Sequence, residues 1–257
     1  MASGAAESAV GFFDSGIGGT CILNAFERLR PCESTIYLAD FANAPYGNRP
    51  AAEIAEISER NAAALLERGC KAVVVACNTA TTAAIGALRA AHPGVPFVGV
   101  EPAVKTAALA TKTGVVAVLA TAGTLSGGHY RTTKARFASG AKVIAATADE
   151  FVEMVERGET SGPAAEEAVR RRIAPLVTAG CDVIVLGCTH FPHLAGLIRK
   201  AAPGVAVIDP SEAVARRLAQ VLAERGLEAP PDAVPRREFL TTGPWEGLRP
   251  WKAFSHT

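Results

Sequence analysis

Short apolar, β-branched runs recur along the chain at Val10–Phe13, Thr35–Leu38, Ala72–Ala76, Phe97–Val100, Val115–Leu119, Lys142–Ala145, Val183–Leu186 and Val205–Ile208. Between them the apolar positions take a helical period, over about 20–30, 50–68, 79–91, 103–111, 124–138, 150–157, 162–179, 192–201 and 211–225. Strands that are apolar at successive positions need cover on both faces. Helical connections of this length return the chain to the starting end of a sheet. The pattern therefore predicts βαβ units and buried parallel sheet. The last thirty residues are Pro-rich and weakly patterned, and are expected to form a surface-packed tail without chemistry.

The chain also repeats itself. Residues 69–77 read GCKAVVVAC and residues 180–188 read GCDVIVLGC. Downstream, Gly86, Leu88, Arg89, Ala91, Pro93, Gly94 and Val95 correspond to Gly196, Ile198, Arg199, Ala201, Pro203, Gly204 and Val205 at a constant offset of 110. A weaker echo links Asp14-Ser15-Gly16 to Ala120-Thr121-Ala122. The spacing is too long for a solenoid. The expectation is an α/β protein of two pseudo-symmetric, doubly wound parallel-sheet domains facing across a central cleft. Residues 1–100 plus 208–257 would form the first lobe, carrying Cys77, and residues 101–207 the second, carrying Cys188.

Composition narrows the classes. With 49% hydrophobic and 20% charged residues the chain is not disordered. A formal charge of +1 leaves no basic excess to neutralise phosphates, so no nucleic-acid partner is expected. No apolar run approaches the roughly 18–20 residues needed to span a bilayer. The opening MASGAAESAV lacks the basic and apolar regions of a secretory signal. A cytoplasmic protein without a membrane partner follows. Its cysteines, at 21, 32, 70, 77, 181 and 188, form no CxxC pair and are expected to stay reduced.

Cys77 and Cys188 each end an apolar strand and precede a helix, which is where parallel α/β sheets bind ligands. A helix N-terminus offers unpaired N–H groups and partial positive charge, which is expected to lower a thiol's pKa. Their neighbours, Asn78-Thr79 and Thr189-His190, are polar; Asn and Thr there are also ordinary N-caps. Duplication would bring the two strand ends to opposite walls of one cleft. Two thiols flanking one small molecule suit inversion at a carbon, one removing a proton and the other delivering one to the opposite face. Cys70 and Cys181 open their strands at the far end and are assigned to packing. The turn in GFFDSGIGGT (11–20) is a poor dinucleotide fingerprint; its N–H groups are expected to approach a carboxylate, with Asp14 and Ser15 at its tip. Pro45-Tyr46-Gly47 is either a plain turn or a lid of N–H groups and a phenol over the cleft. Thr121 and Thr124 occupy the matching loop of the second half, where capping is the plainer role. The lysines (71, 105, 112, 134, 142, 200, 252) lie outside these motifs, so a pyridoxal Schiff base is not expected, and no cofactor is called for.

These residues, in this order, resemble the cofactor-independent aspartate/glutamate racemase family. The motifs are FDSGIGG (13–19), LADFANAPYGNRP (38–50), ACNTAT (76–81), ATAGT (120–124) and GCTHFPHL (187–194). Within the family the CTH triplet points to glutamate. The resemblance implies interconversion of L- and D-glutamate, supply of D-glutamate for peptidoglycan, and a homodimer in many members. By position it implies that Cys77 exchanges the Cα proton of D-glutamate and Cys188 that of L-glutamate. Asp14 would assist Cys77, and His190 would assist Cys188. Asp14, Ser15, Pro45, Tyr46, Gly47, Asn78, Thr79, Thr121, Thr189 and Glu156 would contact substrate, Glu156 matching a family glutamate near His190. Ala120 departs from a common Gly, Phe191 from a frequent Tyr and His193 from a common Leu, and ADEFVEM (148–154) lacks the family's usual prolines. Three other readings stay open. One is a racemase for aspartate or a related amino acid. The second is a bilobed amino-acid binding protein. The third is a metal site at Cys188, His190 and His193.

Overall fold

The structure is a computed structural model that describes residues 8–137 and 140–243. Two parallel sheets carry the chain. The first contains β1 (Val10–Asp14), β2 (Thr35–Ala39), β3 (Ala72–Val75), β4 (Phe97–Gly99) and β9 (Arg237–Thr241) in the order β4-β3-β1-β2-β9. The second contains β5 (Val115–Ala120), β6 (Lys142–Thr147), β7 (Val183–Gly187) and β8 (Ala206–Ile208) in the order β6-β5-β7-β8. Matching β1 to β5 and β3 to β7, as the repeat dictates, makes β4-β3-β1-β2 and β8-β7-β5-β6 the same topology. The expected two-sheet, pseudo-symmetric α/β fold is therefore present.

Alternation along the strands explains the double winding. Val10, Phe12, Tyr37 and Val74 face one side of the first sheet, against α1 (Thr20–Leu29) and α10 (Ser211–Arg225). Phe13, Ile36, Leu38, Val73 and Val75 face the other, against α2 (Ala51–Glu67) and α3 (Asn78–Ala91). In the second sheet Val116, Val118, Val183 and Val185 pack with α4 (Val104–Ala110) and Tyr130. Ala117, Leu119, Ile184 and Leu186 pack with α7 (Asp149–Glu156), α8 (Pro163–Thr178) and α9 (Ala195–Ala201). A strand buried on both faces can be apolar throughout, which is why the strands were visible as runs.

The helix expected over 124–138 is instead broken into α5 (Ala122–Ser126) and α6 (Gly128–Phe137), separated at Gly127. Gly127 has little room: a Cβ there would meet Thr82 at 2.1 Å. The Pro-rich tail is also corrected in part. Its residues 237–241 form β9, which pairs in parallel with β2, and Phe239 stacks on Tyr37 with ring centroids 5.2 Å apart. Short length and a charged start, Arg-Glu, hid this edge strand from the hydrophobic pattern. Residues 244–257, including Lys252, and the N-terminal residues 1–7 lie outside the described residues. No helix among the described residues is long and apolar enough to cross a membrane. Cys70 and Cys181 are buried in the cores, away from the strand ends that carry Cys77 and Cys188.

Among the described residues, one ion pair is almost fully enclosed. Lys71 Nζ lies 2.7 Å from Glu33 Oε2, and Glu33 Oε1 accepts the Ala229 N–H at 2.8 Å, tying the chain after α10 to the start of the sheet. Lys71→Met strands the Glu33 charge in the interior and should cost about 3–5 kcal/mol in urea unfolding; a loss below about 1 kcal/mol would contradict this role.

Candidate active site

The turn after β1 is the centre of the site. Asp14 ends the strand with no exposed surface. Its Oδ1 accepts the Ser15 N–H at 2.7 Å, and its Oδ2 accepts the Gly19 N–H at 2.5 Å and the Thr189 hydroxyl at 3.0 Å. Thr189 follows β7, so this carboxylate joins the two sheets. The Ile17 N–H donates to Glu156 Oε1 at 3.1 Å, and the Ile17 side chain is buried among Leu119, Phe151, Val155 and Phe191 of the second core. The expectation that the turn's N–H groups meet a carboxylate thus holds with a different partner. Those of Ser15, Ile17 and Gly19 are spent on protein carboxylates.

Glycine is required here for close approach. A Cβ on Gly16 would fall 1.9 Å from Glu156 Oε1, and one on Gly18 would fall 2.5 Å from His190 Nδ1. The second half thus presses its charged groups onto bare backbone of the first.

Above the turn lies a cavity with about 60 Å³ open to the centre of a water molecule. A single water needs about 10–15 Å³ on that measure, so a ligand that enters sheds most of its hydration. Cys77, Asn78 and Thr79 at the start of α3 form one wall, with Ser15 beside them. Cys188, Thr189 and His190 after β7 form another. Pro45, Tyr46, Gly47 and Asn48 close one side, Thr121 another, and Asp149, Val152 and Glu153 of α7 form the rim. The two thiols of the repeat therefore border a single space. Among the described residues no Lys or Arg lines it.

Asn78 is 2% exposed, and neither its Oδ1 nor its Nδ2 has a hydrogen-bond partner. A buried carboxamide left unpaired at both ends costs roughly 1–3 kcal/mol per group. It does not cap the helix; Cys77 holds the N-cap position, without a side-chain capping bond. The Thr79, Thr121 and Thr124 hydroxyls form a triangle of 3.0, 3.3 and 3.1 Å that bridges the two halves, and Thr121 makes no side-chain cap either. The plainer capping roles of these residues are thereby replaced.

Behind each thiol stands a charged partner. Burial, and then the Asp14 carboxylate, push the Cys77 thiol well above its ordinary pKa. This overturns the expected lowering: the helix N-terminus contributes through the Ala80 N–H but does not outweigh desolvation. Burial likewise raises Asp14, against the pull of His190 and its own hydrogen bonds. His190 Nδ1 lies 3.7 Å from Cys188 Sγ, and its Nε2 donates to Glu156 Oε1 at 2.5 Å. Burial alone would depress this imidazole, but contacts with Cys188 and Glu156 prevail and hold it well above 6.5.

Three expected contacts are relocated. Glu156 and Asp14 do not line the cavity; they stand behind His190 and Cys77. Tyr46 lines it, but its hydroxyl donates to Asp40 Oδ2 at 2.6 Å rather than lying over the cleft. Asp40, wholly buried, also accepts from Asn43, Asn61 and Thr242 and so fixes the Pro45–Gly47 turn. His193 Nε2 lies 3.4 Å from both the Gly18 carbonyl and the Thr20 hydroxyl; burial, and then the His190 charge, push it down to about 4. No group of His, Cys, Asp and Glu able to hold a metal ion occurs among the described residues. Asn48, Asp149, Val152 and Glu153 were not anticipated. Asp149, Val152, Glu153 and Glu156 share one helix face at i, i+3, i+4 and i+7, a signal the sequence held.

Residues 21–218 match the Asp/Glu/Hydantoin racemase family. A glutamate racemase of Pseudomonas aeruginosa is 45% identical over 240 residues, covering 93% of this chain and 91% of the relative. One from Herpetosiphon aurantiacus is 46% identical over 235 residues, covering 91% and 92%. Among solved structures, glutamate racemase from Thermus thermophilus in complex with β-chloro-D-alanine superposes with a TM-score of 0.84 at 34% identity, covering 98% of this chain and 94% of that one. Escherichia coli glutamate racemase in complex with L-glutamate and the activator UDP-MurNAc-Ala gives a TM-score of 0.84 at 33% identity, covering 96% and 95%. A chain with two sheets of one topology, two thiols on one cavity and these relatives belongs to the Asp/Glu/Hydantoin racemase family.

Proposed function

We propose that this chain interconverts L-glutamate and D-glutamate by passing the Cα proton between two thiols. The observation that carries the reading is that Cys77 and Cys188, from the two repeated halves, line the same cavity. Asn78 supports an amino-acid ligand, because its unpaired carboxamide offers both a donor and an acceptor beside the thiols. Ser15, Thr79, Thr121 and Thr189, with the wall of Pro45, Tyr46 and Gly47, would hold the ammonium and carboxylates. Serving a net anionic substrate without a Lys or Arg among the described lining residues keeps these groups weak towards ground-state substrate. They gain strength as charge moves onto the α-carboxylate.

From L-glutamate, Cys188 acts as a thiolate and takes the Cα proton. The bonding pair moves into the α-carboxylate as enediolate character. Cys77, held as a thiol by burial and by Asp14, delivers its proton to the opposite face. D-glutamate then leaves, Cys77 remains as thiolate, and protons return through solvent. From D-glutamate the roles reverse. The His190 cation, 3.7 Å from Cys188, stabilises negative charge on that sulfur. Asp14, its own pKa raised, is the neighbour able to take the Cys77 proton. No prosthetic group enters this route. The family role is supply of D-glutamate for peptidoglycan, and with it cell-wall growth and cell shape. A cytoplasmic location, and a two-lobe division at 1–100 plus 208–257 and 101–207, belong to the same reading.

Cys77→Ser and Cys188→Ser should each lower kcat/KM by about 10²–10⁴-fold, followed by circular dichroism of glutamate. The loss must be equal from both enantiomers, since the equilibrium constant between mirror images is one. A loss under about tenfold in either variant would contradict the two-thiol route. The same assay with both enantiomers of aspartate should show turnover of glutamate in preference. Gly16→Ala puts a Cβ where Glu156 Oε1 now lies, so it should displace that carboxylate from His190. The expected loss is on the order of 10²-fold with far-UV dichroism unchanged, and near-normal turnover would remove Glu156 from the account.

A further inference from the structure

Tyr37 lies in the middle of β2, is completely buried, and does not border the cavity. Its hydroxyl donates to the Gly16 carbonyl at 2.8 Å. That carbonyl belongs to the same peptide unit as the Ile17 N–H, which donates to Glu156 Oε1 at 3.1 Å. Glu156 in turn accepts from His190, whose other ring nitrogen faces Cys188. A continuous line of polar contacts thus runs from a core phenol of the first sheet, through one peptide, to the thiol of the second.

The geometry points to Tyr37 as a positioning residue for the Cys188 half of the site, acting through the Gly16–Ile17 peptide and Glu156 on His190. The inference rests on Cys188 being one of the two bases. Its physical content is orientation. A peptide plane can pivot about its flanking bonds, and residues 16, 18 and 19 are glycines that restrain it little. Anchoring the carbonyl at one end of the plane fixes the direction of the N–H at the other. That N–H, together with His190, holds the Glu156 carboxylate, which is itself only half-buried. The Tyr37 ring is fixed by stacking on Phe239 of β9, at an interplanar angle of 10°. Hydrogen bonds along such a line also polarise one another. Burial, with Asp14 and Glu156 nearby, keeps the phenol protonated, so it is a donor throughout the working pH range.

The test is the titration of His190, read by NMR of ¹⁵N-histidine-labelled enzyme and assigned with His190→Gln. The groups that bear on this ring are Glu156 of α7, Cys188 after β7, Asp14 at the end of β1, and His193. In Tyr37→Phe the ring stack survives and only the hydroxyl is lost. Glu156 should loosen, the His190 midpoint should fall relative to wild type, and kcat/KM should drop on the order of tenfold from both enantiomers. In a Glu156→Gln background the same change should have no further effect on kcat/KM. Phe239→Leu keeps the hydroxyl while weakening the stack that holds the ring; it should lower the melting temperature and move the His190 midpoint less than Tyr37→Phe does. An unchanged midpoint in folded Tyr37→Phe overturns the inference whatever the activity. Equal losses from Tyr37→Phe with and without Glu156→Gln overturn it as well. If wild type fails to racemise glutamate while the midpoint still moves, the functional reading falls, and what stands is the hold of Tyr37 on His190 through Glu156.

Discussion

The carboxylates at the turn Ser15–Gly19 hold the two halves in register. Asp14 reaches from the first sheet to Thr189 of the second, and Glu156 reaches back to the Ile17 N–H. Ile17 meanwhile buries its side chain in the core of the other half, a contact worth about 1.5–3 kcal/mol on the usual scale for a fully buried aliphatic. Each carboxylate accepts backbone N–H groups on one side and faces a catalytic candidate on the other. The turn therefore positions the chemistry and joins the halves with the same atoms. Gly16 and Gly18 make this contact sterically feasible, because side chains there would overlap Glu156 and His190.

The near-symmetric scaffold holds electrostatically unlike thiols. Cys77 faces a buried carboxylate that, together with burial, holds its thiol above the ordinary pKa; Cys188 faces the His190 imidazole, whose pKa Cys188 and Glu156 raise. An acid and a base on opposite sides are what a proton exchange across one carbon requires. Duplication alone would have produced two equal groups. The divergence lies one contact behind each thiol, in Asp14 on one side and in His190 with Glu156 on the other. Besides His190, the described cavity walls carry hydroxyls and an amide and no Lys or Arg, so they orient a ligand largely through directed hydrogen bonds.

Much of this was legible in the chain. Strands buried on both faces showed as apolar runs, and the repeat around Cys77 and Cys188 foretold sheets of one topology. Local signals failed where a distant partner decided the outcome. Nothing near Glu156 reveals that its carboxylate turns to His190 and away from the cavity. The phenol of Tyr46 is claimed by Asp40, a partner that only the folded chain supplies. The helix N-terminus acts on Cys77 with the expected sign but too weakly, because full burial beside a carboxylate outweighs the end of a helix. Strand β9 escaped because five residues of mixed polarity at a sheet edge carry almost no periodic signal.

Two thiols on one cavity make a sharp claim about where hydrogen comes from. Each enantiomer of glutamate, incubated in heavy water and stopped at low conversion, should give product that carries deuterium at Cα while the remaining substrate keeps protium. The result should hold in both directions, because the atom removed goes to one sulfur and the atom delivered comes from the other. Deuterium entering unreacted substrate as fast as product would mean one base serves both faces, and protium retained in the product would mean direct return of the same atom. Either would contradict a pair of sulfur atoms acting from opposite sides.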